Sequence, residues 1–325
     1  MREQDVIDRL RRIATAPEAR GLLDDVAVID DLVITHDSIA EGIHFLPSDP
    51  PASVGWKLVA VNLSDLAAKG ATPAGALLSF TLSGDEHWDE EFLVGVEAAC
   101  ESYGLPLIGG DTIALPSDAP RVLGMTVIGR ASGHVPDRAG GRPGDALWLV
   151  GTVGESAAGL GQLRDDARAE GPLVDIYRRP IPQLEAGKLL AQYAHAMMDV
   201  SDGLLLDATR LADASSCTVE IDLDQLPLSS AFIFVRGKGL DARLFAAAGG
   251  DDYALLAALP SDVDASTLSL PKGTRIARIG NLTEGNPDIR VTSGGSPIDL
   301  PERLGFEHSS DEHRGLSTSP MADRP

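Results

Sequence analysis

The sequence predicts an α/β (α+β) protein of two domains, with mixed sheets packed against helices. Three observations carry that expectation. Strand-like apolar runs alternate with helix-length segments along the whole chain, which is the pattern of sheets covered by helices. At 325 residues, the chain is long for a single hydrophobic core. A stretch rich in Gly and Pro, Ala139-Gly140-Gly141-Arg142-Pro143-Gly144, separates two apolar runs near its middle. The expected division is 1–140 and 141–308, followed by 309–325, a polar tail without periodicity that is expected to be disordered.

Taken in order, residues 3–15 place Val6, Leu10 and Ile13 on one helical face. Residues 26–30 and 32–35 read as paired strands around an Asp30-Asp31 turn. Residues 53–69 form the next helix, stopped by Gly70 with Pro73 just beyond. A strand is expected at 74–82 and a helix at 87–103, closed by Gly104. A short strand at 105–108 leads into Gly109-Gly110-Asp111, and another covers 122–128. In the second half, strands are expected at 146–150, 196–200, 218–223, 253–259 and 275–282. Helices are expected there at 155–163, 182–193, 203–214 and 242–248.

Composition excludes several classes of function. A net charge of −22 argues against nucleic acid and against an anionic membrane surface as partners. The two cysteines, Cys100 and Cys217, provide neither a disulfide framework nor a thiolate zinc site. Free thiols are the default in a reducing compartment. No apolar run reaches the roughly 18 residues of a membrane span, and the acidic N-terminal segment lacks a signal-peptide core. A soluble, cytoplasmic protein is expected.

Six short segments end or pivot on aspartate: Leu23-Asp24-Asp25, Thr35-His36-Asp37, Asn62-Leu63-Ser64-Asp65, Gly109-Gly110-Asp111, Asp199-Val200-Ser201-Asp202 and Gly249-Gly250-Asp251-Asp252. Most follow strand-like runs, so their carboxylates fall at strand ends, where sites are built. Two carboxylates about 4 Å apart repel by roughly 4 kcal/mol at an effective dielectric near 20. A cluster therefore needs raised pKa values or bound cations. An all-oxygen donor set without a Cys or His cluster points to Mg²⁺, ahead of Ca²⁺.

A phosphate-binding G-x-x-x-x-G-K-[ST] loop and the protein-kinase signatures are both missing. Lysine is scarce, with five residues. A bound nucleotide must then be neutralised mainly by metal ions on carboxylates, a mode suited to phosphoryl transfer. Single motifs leave alternatives open. Asn62 and Asp65 share a helix face that is either a ligand face or simply solvated. Ser201-Asp202-Gly203 fits a helix start, where one side chain caps and the other contacts metal or phosphate. Gly109-Gly110 is either an ordinary turn or a close backbone approach to phosphate.

In combination these motifs are specific. Asp24-Asp25-Val26-Ala27, Asp37-Ser38-Ile39-Ala40-Glu41-Gly42-Ile43-His44-Phe45, Val61-Asn62-Leu63-Ser64-Asp65-Leu66-Ala67-Ala68-Lys69-Gly70-Ala71, Ile108-Gly109-Gly110-Asp111-Thr112, Asp199-Val200-Ser201-Asp202-Gly203-Leu204 and Gly249-Gly250-Asp251-Asp252-Tyr253 follow one another in order. With Gly151-Thr152-Val153-Gly154-Glu155-Ser156 between them, the chain resembles the thiamine-monophosphate kinase family. That family belongs to the superfamily of aminoimidazole ribonucleotide synthetase and selenophosphate synthetase.

The resemblance implies an aminoimidazole ribonucleotide synthetase-like fold and ATP-dependent phosphorylation of thiamine monophosphate to thiamine diphosphate. Transfer would be direct and in line, assisted by several Mg²⁺ ions, with K⁺ as a further candidate ion and no catalytic side chain. Implied metal ligands are Asp25, Thr35, Asp37, Asp65, Asp111, Asp199 and Asp202. His36 joins them through its carbonyl or its imidazole. ATP contacts are implied for Tyr103, Gly110, Asp111, Arg138 and Ser201. His44 and Asp251 would face thiamine monophosphate, with Phe306 near its ring. The first domain would bind ATP and Mg²⁺ and form a homodimer through its sheet. Three positions depart from the family pattern: Leu23 for glycine, His36 for a small hydroxyl residue and Asp251 for glutamate. The alternatives are a superfamily member with another acceptor, or a regulator that binds nucleotide and metal without turnover.

Overall fold

Two mixed sheets organise the computed structural model, which describes residues 3–116 and 119–307. The tail expected at 309–325 lies outside the described residues. The first half runs α1 (Glu3–Arg11), β1 (Ala27–Ile29), β2 (Leu32–Ala40), α2 (Pro51–Ala68), β3 (Thr72–Leu82), α3 (Glu86–Tyr103), β4 (Leu107–Ala114) and β5 (Val122–Arg130). Its strands form a five-stranded sheet in the order β1-β2-β5-β3-β4. Only β3 and β4 pair in parallel there, joined by α3 as crossover.

The second half contains β6 (Ala146–Val150), α4 (Glu155–Asp165), α5 (Pro172–Arg178), α6 (Leu184–Ala191), β7 (Ala196–Val200), α7 (Leu204–Ser215) and β8 (Thr218–Asp222). It continues with α8 (Ser230–Arg236), α9 (Leu240–Ala248), β9 (Ala254–Leu259), β10 (Ile276–Thr283), β11 (Asp288–Ser293) and β12 (Ser296–Pro297). Its seven-stranded sheet has the order β12-β11-β8-β10-β6-β9-β7. The strands β6, β7 and β9 are buried along their whole length, which explains why they are apolar throughout but for Asp199 of β7. By contrast, β2 buries Val33, Thr35 and Ile39 and turns His36 and Ser38 outward, the period-two pattern of a half-covered strand.

The helix α2 holds the two halves together. Prolines at its start suit free N–H positions, and Gly70 accepts the left-handed backbone (φ 62°) that ends it. Nearly every side chain of α2 is buried, including Asn62, Ser64 and Asp65. Apolar residues on all sides of a helix mean burial on all sides. One flank packs on β2 and β5, another on α3, and a third on α6, β7 and β9. A solvated face for Asn62 and Asp65 is thereby ruled out. One hydrophobic core accordingly crosses the boundary, linking Val54, Leu58 and Leu66 with Trp148, Met197 and Leu255. The α2–α3 approach depends on glycine: a Cβ on Gly95 would lie 2.0 Å from the Ala52 carbonyl oxygen.

Strand β4 continues through Gly109-Gly110-Asp111 instead of ending before it, so these glycines form no turn. A Cβ on Gly110 would lie 2.1 Å from the Leu78 carbonyl oxygen; the missing side chain permits tight pairing with β3. The short helices α5 and α8 and the strands β11 and β12 have no counterpart in the sequence-based expectation. They are too short to show a full apolar period. Helix α1 stops at Arg11, leaving Val6, Leu10 and Ile13 exposed. No helix among the described residues is long and apolar enough to cross a membrane.

Candidate metal and phosphate site

Asp25 precedes β1, Thr35 and Asp37 lie on β2, Asp65 lies on α2, and Asp199 lies near the end of β7. These elements meet at the junction of the two halves. One carboxylate oxygen each of Asp25, Asp65 and Asp199 fall within 4.8 Å of one another. The Thr35 hydroxyl donates to the Asp65 carboxylate and lies 3.3 Å from the Asp25 carbonyl oxygen. Asn62 serves the frame: its side-chain oxygen accepts the Asp37 N–H at 2.9 Å, and its amide donates to the Leu58 carbonyl at 2.9 Å.

Burial and mutual repulsion govern the charges. Burial pushes Asp65 well above the ordinary carboxylate range, and Asp37, Asp199 and Asp25 push it further. Asp199 is likewise raised by burial and by Asp25. Asp37 rises to about 6 through burial, Asp25 and Asp202. Asp25 differs: burial raises it, but the charges of Arg138 and Lys69 outweigh that and leave it lowered. Arg138 pairs directly with Asp25. Asp24 is turned inward, paired with buried Lys69 at 2.5 Å and with Arg20 at 2.7 Å. Of the Asp24-Asp25 pair, one carboxylate therefore anchors the loop and the other faces the cluster.

The donor set is carboxylate and hydroxyl oxygen throughout, which fits a hard divalent cation such as Mg²⁺. Three close carboxylates cannot all ionise without cations or protons. Asp202, beyond β7, pairs with Arg210 at 2.6 Å. Neither Ser201 nor Asp202 caps α7. Asp207, inside the helix, reaches back to accept the N–H groups of Asp202 (3.1 Å) and Gly203 (3.2 Å).

The loop after α9 lies beside the same strand end. The Asp251 N–H donates to the Ser201 carbonyl at 2.6 Å, and the Tyr253 N–H to the Val200 carbonyl at 2.8 Å. The Asp251 carboxylate accepts from the Tyr253 hydroxyl at 2.7 Å and pairs with Lys57 of α2. His44 accepts the Ala40 N–H through Nδ1 at 3.0 Å, which leaves a neutral ring its proton on Nε2. The Phe306 N–H donates to the Asp202 carbonyl at 2.8 Å, so the chain returns to the same edge.

Three of the expected residues stand apart. His36 points to the opposite face of β2, where its ring meets Thr126 at 2.9 Å and Ser38 at 3.3 Å. Asp111 lies in one row with Ser79, Gly124 and Ser38 across the sheet. It is therefore about three strand spacings, roughly 14 Å, from β2, on the face that His36 shares. Tyr103 packs edge-to-face on Trp56, with centroids 5.6 Å apart, and burial lifts its hydroxyl to about 12. Sequence reasoning missed Lys57, Lys69 and Arg210. The available signal was the lysine-poor composition, in which two of five lysines fall in or beside an otherwise apolar helix.

The family model for the AIR synthase related protein N-terminal domain matches residues 23–131, and that for the C-terminal domain matches residues 142–292. The chain is 36% identical to the thiamine-monophosphate kinase of Caulobacter vibrioides, covering 94% of this chain and 90% of that one. It is 35% identical to that of Escherichia coli K12, over 89% and 91% of the two chains. Among solved structures, AaThiL complexed with AMPPCP and TMP superposes with a TM-score of 0.82 at 31% identity, covering 95% of this chain and 97% of that one. The thiamine-monophosphate kinase of Stenotrophomonas maltophilia K279a gives a TM-score of 0.71 at 33% identity, over 90% and 96%. Identity of about one third, sustained through both domains, makes the chain a member of the thiamine-monophosphate kinase family.

Proposed function

We propose that the chain transfers the γ-phosphoryl group of ATP to thiamine monophosphate, giving thiamine diphosphate and ADP. The observation that carries this function is the Asp25–Asp65–Asp199 cluster, with Asp65 and Asp199 buried and Asp25 open to solvent, at the junction of the two halves and beside the strand end that holds the Asp251 loop. The complex of AaThiL with AMPPCP and TMP supports it, because a nucleotide and TMP occupy one protein of the same fold.

Asp25, Thr35, Asp37, Asp65, Asp199 and Asp202 would hold Mg²⁺. When bound, Mg²⁺ neutralises polyphosphate charge and polarises phosphoryl oxygens. Arg138, paired with Asp25, is placed to exchange part of that pairing for a nucleotide phosphate. Ser201 and Asp251 are joined through the backbone, so nucleotide and acceptor contacts would be spaced by one rigid strand end. His44 and Asp251 orient the acceptor, and Phe306 packs near its ring. The acceptor phosphate is largely ionised near neutral pH, so the chain needs to align it in line rather than deprotonate it.

Homodimerisation through the first sheet is part of the same proposal. Its edge strand β4 is exposed along its whole length, with Leu107, Ile108 and Ile113 at half or more of their surface. A second copy there would cover this apolar strip.

The test incubates purified protein with ATP, Mg²⁺ and thiamine monophosphate and resolves products by chromatography. Thiamine diphosphate is expected, and EDTA should abolish it. No product, with Mg²⁺-dependent ATP binding retained, would overturn the acceptor assignment.

A further inference from the structure

Lys57 is the single cationic residue within α2, and its side chain is 1% exposed. A buried ammonium is unfavourable unless its donors are paired, so its partners reveal what the site requires. They are the Asp251 carboxylate, the His44 carbonyl oxygen at 2.9 Å and the face of the Tyr177 ring, 4.1 Å from its centroid. Two of these three belong to the residues assigned above to the acceptor. They lie on opposite halves of the chain, and Lys57 is the group that touches both.

Asp251 needs such a clamp. It sits on left-handed backbone (φ 72°), as does Tyr253 (φ 55°), a conformation that costs a non-glycine residue energy and persists only where surroundings enforce it. Its Oδ2 meets Lys57 and, at 3.3 Å, the Ser156 hydroxyl, while Oδ1 accepts from Tyr253. The neighbouring Asp252 anchors the loop by accepting the Gly154 N–H at 2.6 Å and the Ser156 N–H at 3.2 Å. A salt bridge serving stability alone would not have to converge on the carboxylate beside the strand end that carries Asp199.

We propose that Lys57 is a positioning residue for the acceptor: its ammonium locks the His44 turn to the Asp251 carboxylate across the junction and thereby sets affinity for thiamine monophosphate. The proposal rests on the acceptor site assigned under the proposed function. Lys57 does not touch substrate; it acts through Asp251 and His44.

Steady-state kinetics of full-length K57M, K57R, D251N and K57M/D251N test it, with KM read separately for each substrate. K57M should raise the KM for thiamine monophosphate about tenfold or more, the scale of a lost hydrogen bond to a charged group, with the KM for ATP within about twofold. K57R, which keeps charge and donors, should fall between K57M and the wild type. The double variant should bind thiamine monophosphate no more than about twofold worse than D251N alone, because the two residues act as a unit. An unchanged thiamine-monophosphate KM, equal shifts for both substrates, or multiplying effects in the double variant would each overturn the role. Should K57M fail to fold, K57R carries the test: a raised KM for thiamine monophosphate alone supports the role, and no change refutes it. Wild-type turnover of thiamine monophosphate in the same assay separates these outcomes from failure of the function itself. Its absence overturns both.

Discussion

Asp65 shows what one residue does in this site. It lies within 4.8 Å of two other carboxylates, and at an effective dielectric near 20 each such pair costs about 3 kcal/mol when both members are ionised. Asp65→Asn should therefore have opposite effects on stability and activity. Without metal the variant is expected to melt above the wild type, since an amide needs neither the proton that burial and the neighbouring carboxylates force on Asp65 nor the repulsion it meets when ionised. Its Mg²⁺-dependent turnover should fall by about 100-fold or more, on the scale of losing several kcal/mol of charge stabilisation. Differential scanning calorimetry in EDTA and initial rates in Mg²⁺ check both signs; a variant that is less stable and fully active would refute the cluster. At this scale the aspartates were legible because their chemistry is written in short motifs. Their direction was less so: one strand position separates His36 from Thr35 and Asp37, and the period of two sends it to the opposite face. Lys57 and Lys69 remained hidden because their carboxylate partners lie elsewhere in the sequence, Asp251 being 194 residues from Lys57.

At the scale of elements, α2 and β4 show where local signals end. The end of α2 follows from Gly70, as the sequence predicts, while its start at Pro51 lies two residues ahead of the expected 53. Its burial on every side does not follow from a local signal, because that depends on α6, β7 and β9 arriving from the second half. Gly109-Gly110 carried a turn signal, and tertiary pairing overrode it: the pair sits inside β4. Gly110→Ala would place a methyl group 2.1 Å from the Leu78 carbonyl oxygen and force β3 and β4 apart. A loss of roughly 1–3 kcal/mol is expected, read as a lower urea midpoint. An unchanged midpoint would mean that the two strands tolerate a wider spacing.

Across the whole molecule, two sheets close on one shared helix, and their acidic groups meet there. Asp37, raised to about 6, and Asp207, raised to about 7 by burial, hold protons in the folded chain that an unfolded carboxylate would release near pH 4. Their contribution to stability is complete below about pH 4 and is lost as pH rises through 6 and 7. In EDTA the melting temperature should thus fall between pH 5 and 7.5, and Mg²⁺ should restore it at pH 7.5 by binding the folded state. A flat profile, or no effect of Mg²⁺, would contradict the charge balance described for the site. The two-part architecture was legible from the Gly and Pro stretch and the alternation of elements. The continuity of the core across that boundary was not, since no local pattern encodes which faces meet.

The most direct test follows the γ-phosphate itself. Wild-type protein and Asp65→Asn are supplied with Mg²⁺, thiamine monophosphate and ATP labelled at the γ-phosphate, and the label is located by chromatography. Metal-supported transfer at the carboxylate cluster predicts label in thiamine diphosphate for the wild type and almost none for the variant. Label released as orthophosphate by the wild type, or undiminished label in thiamine diphosphate for Asp65→Asn, would contradict it.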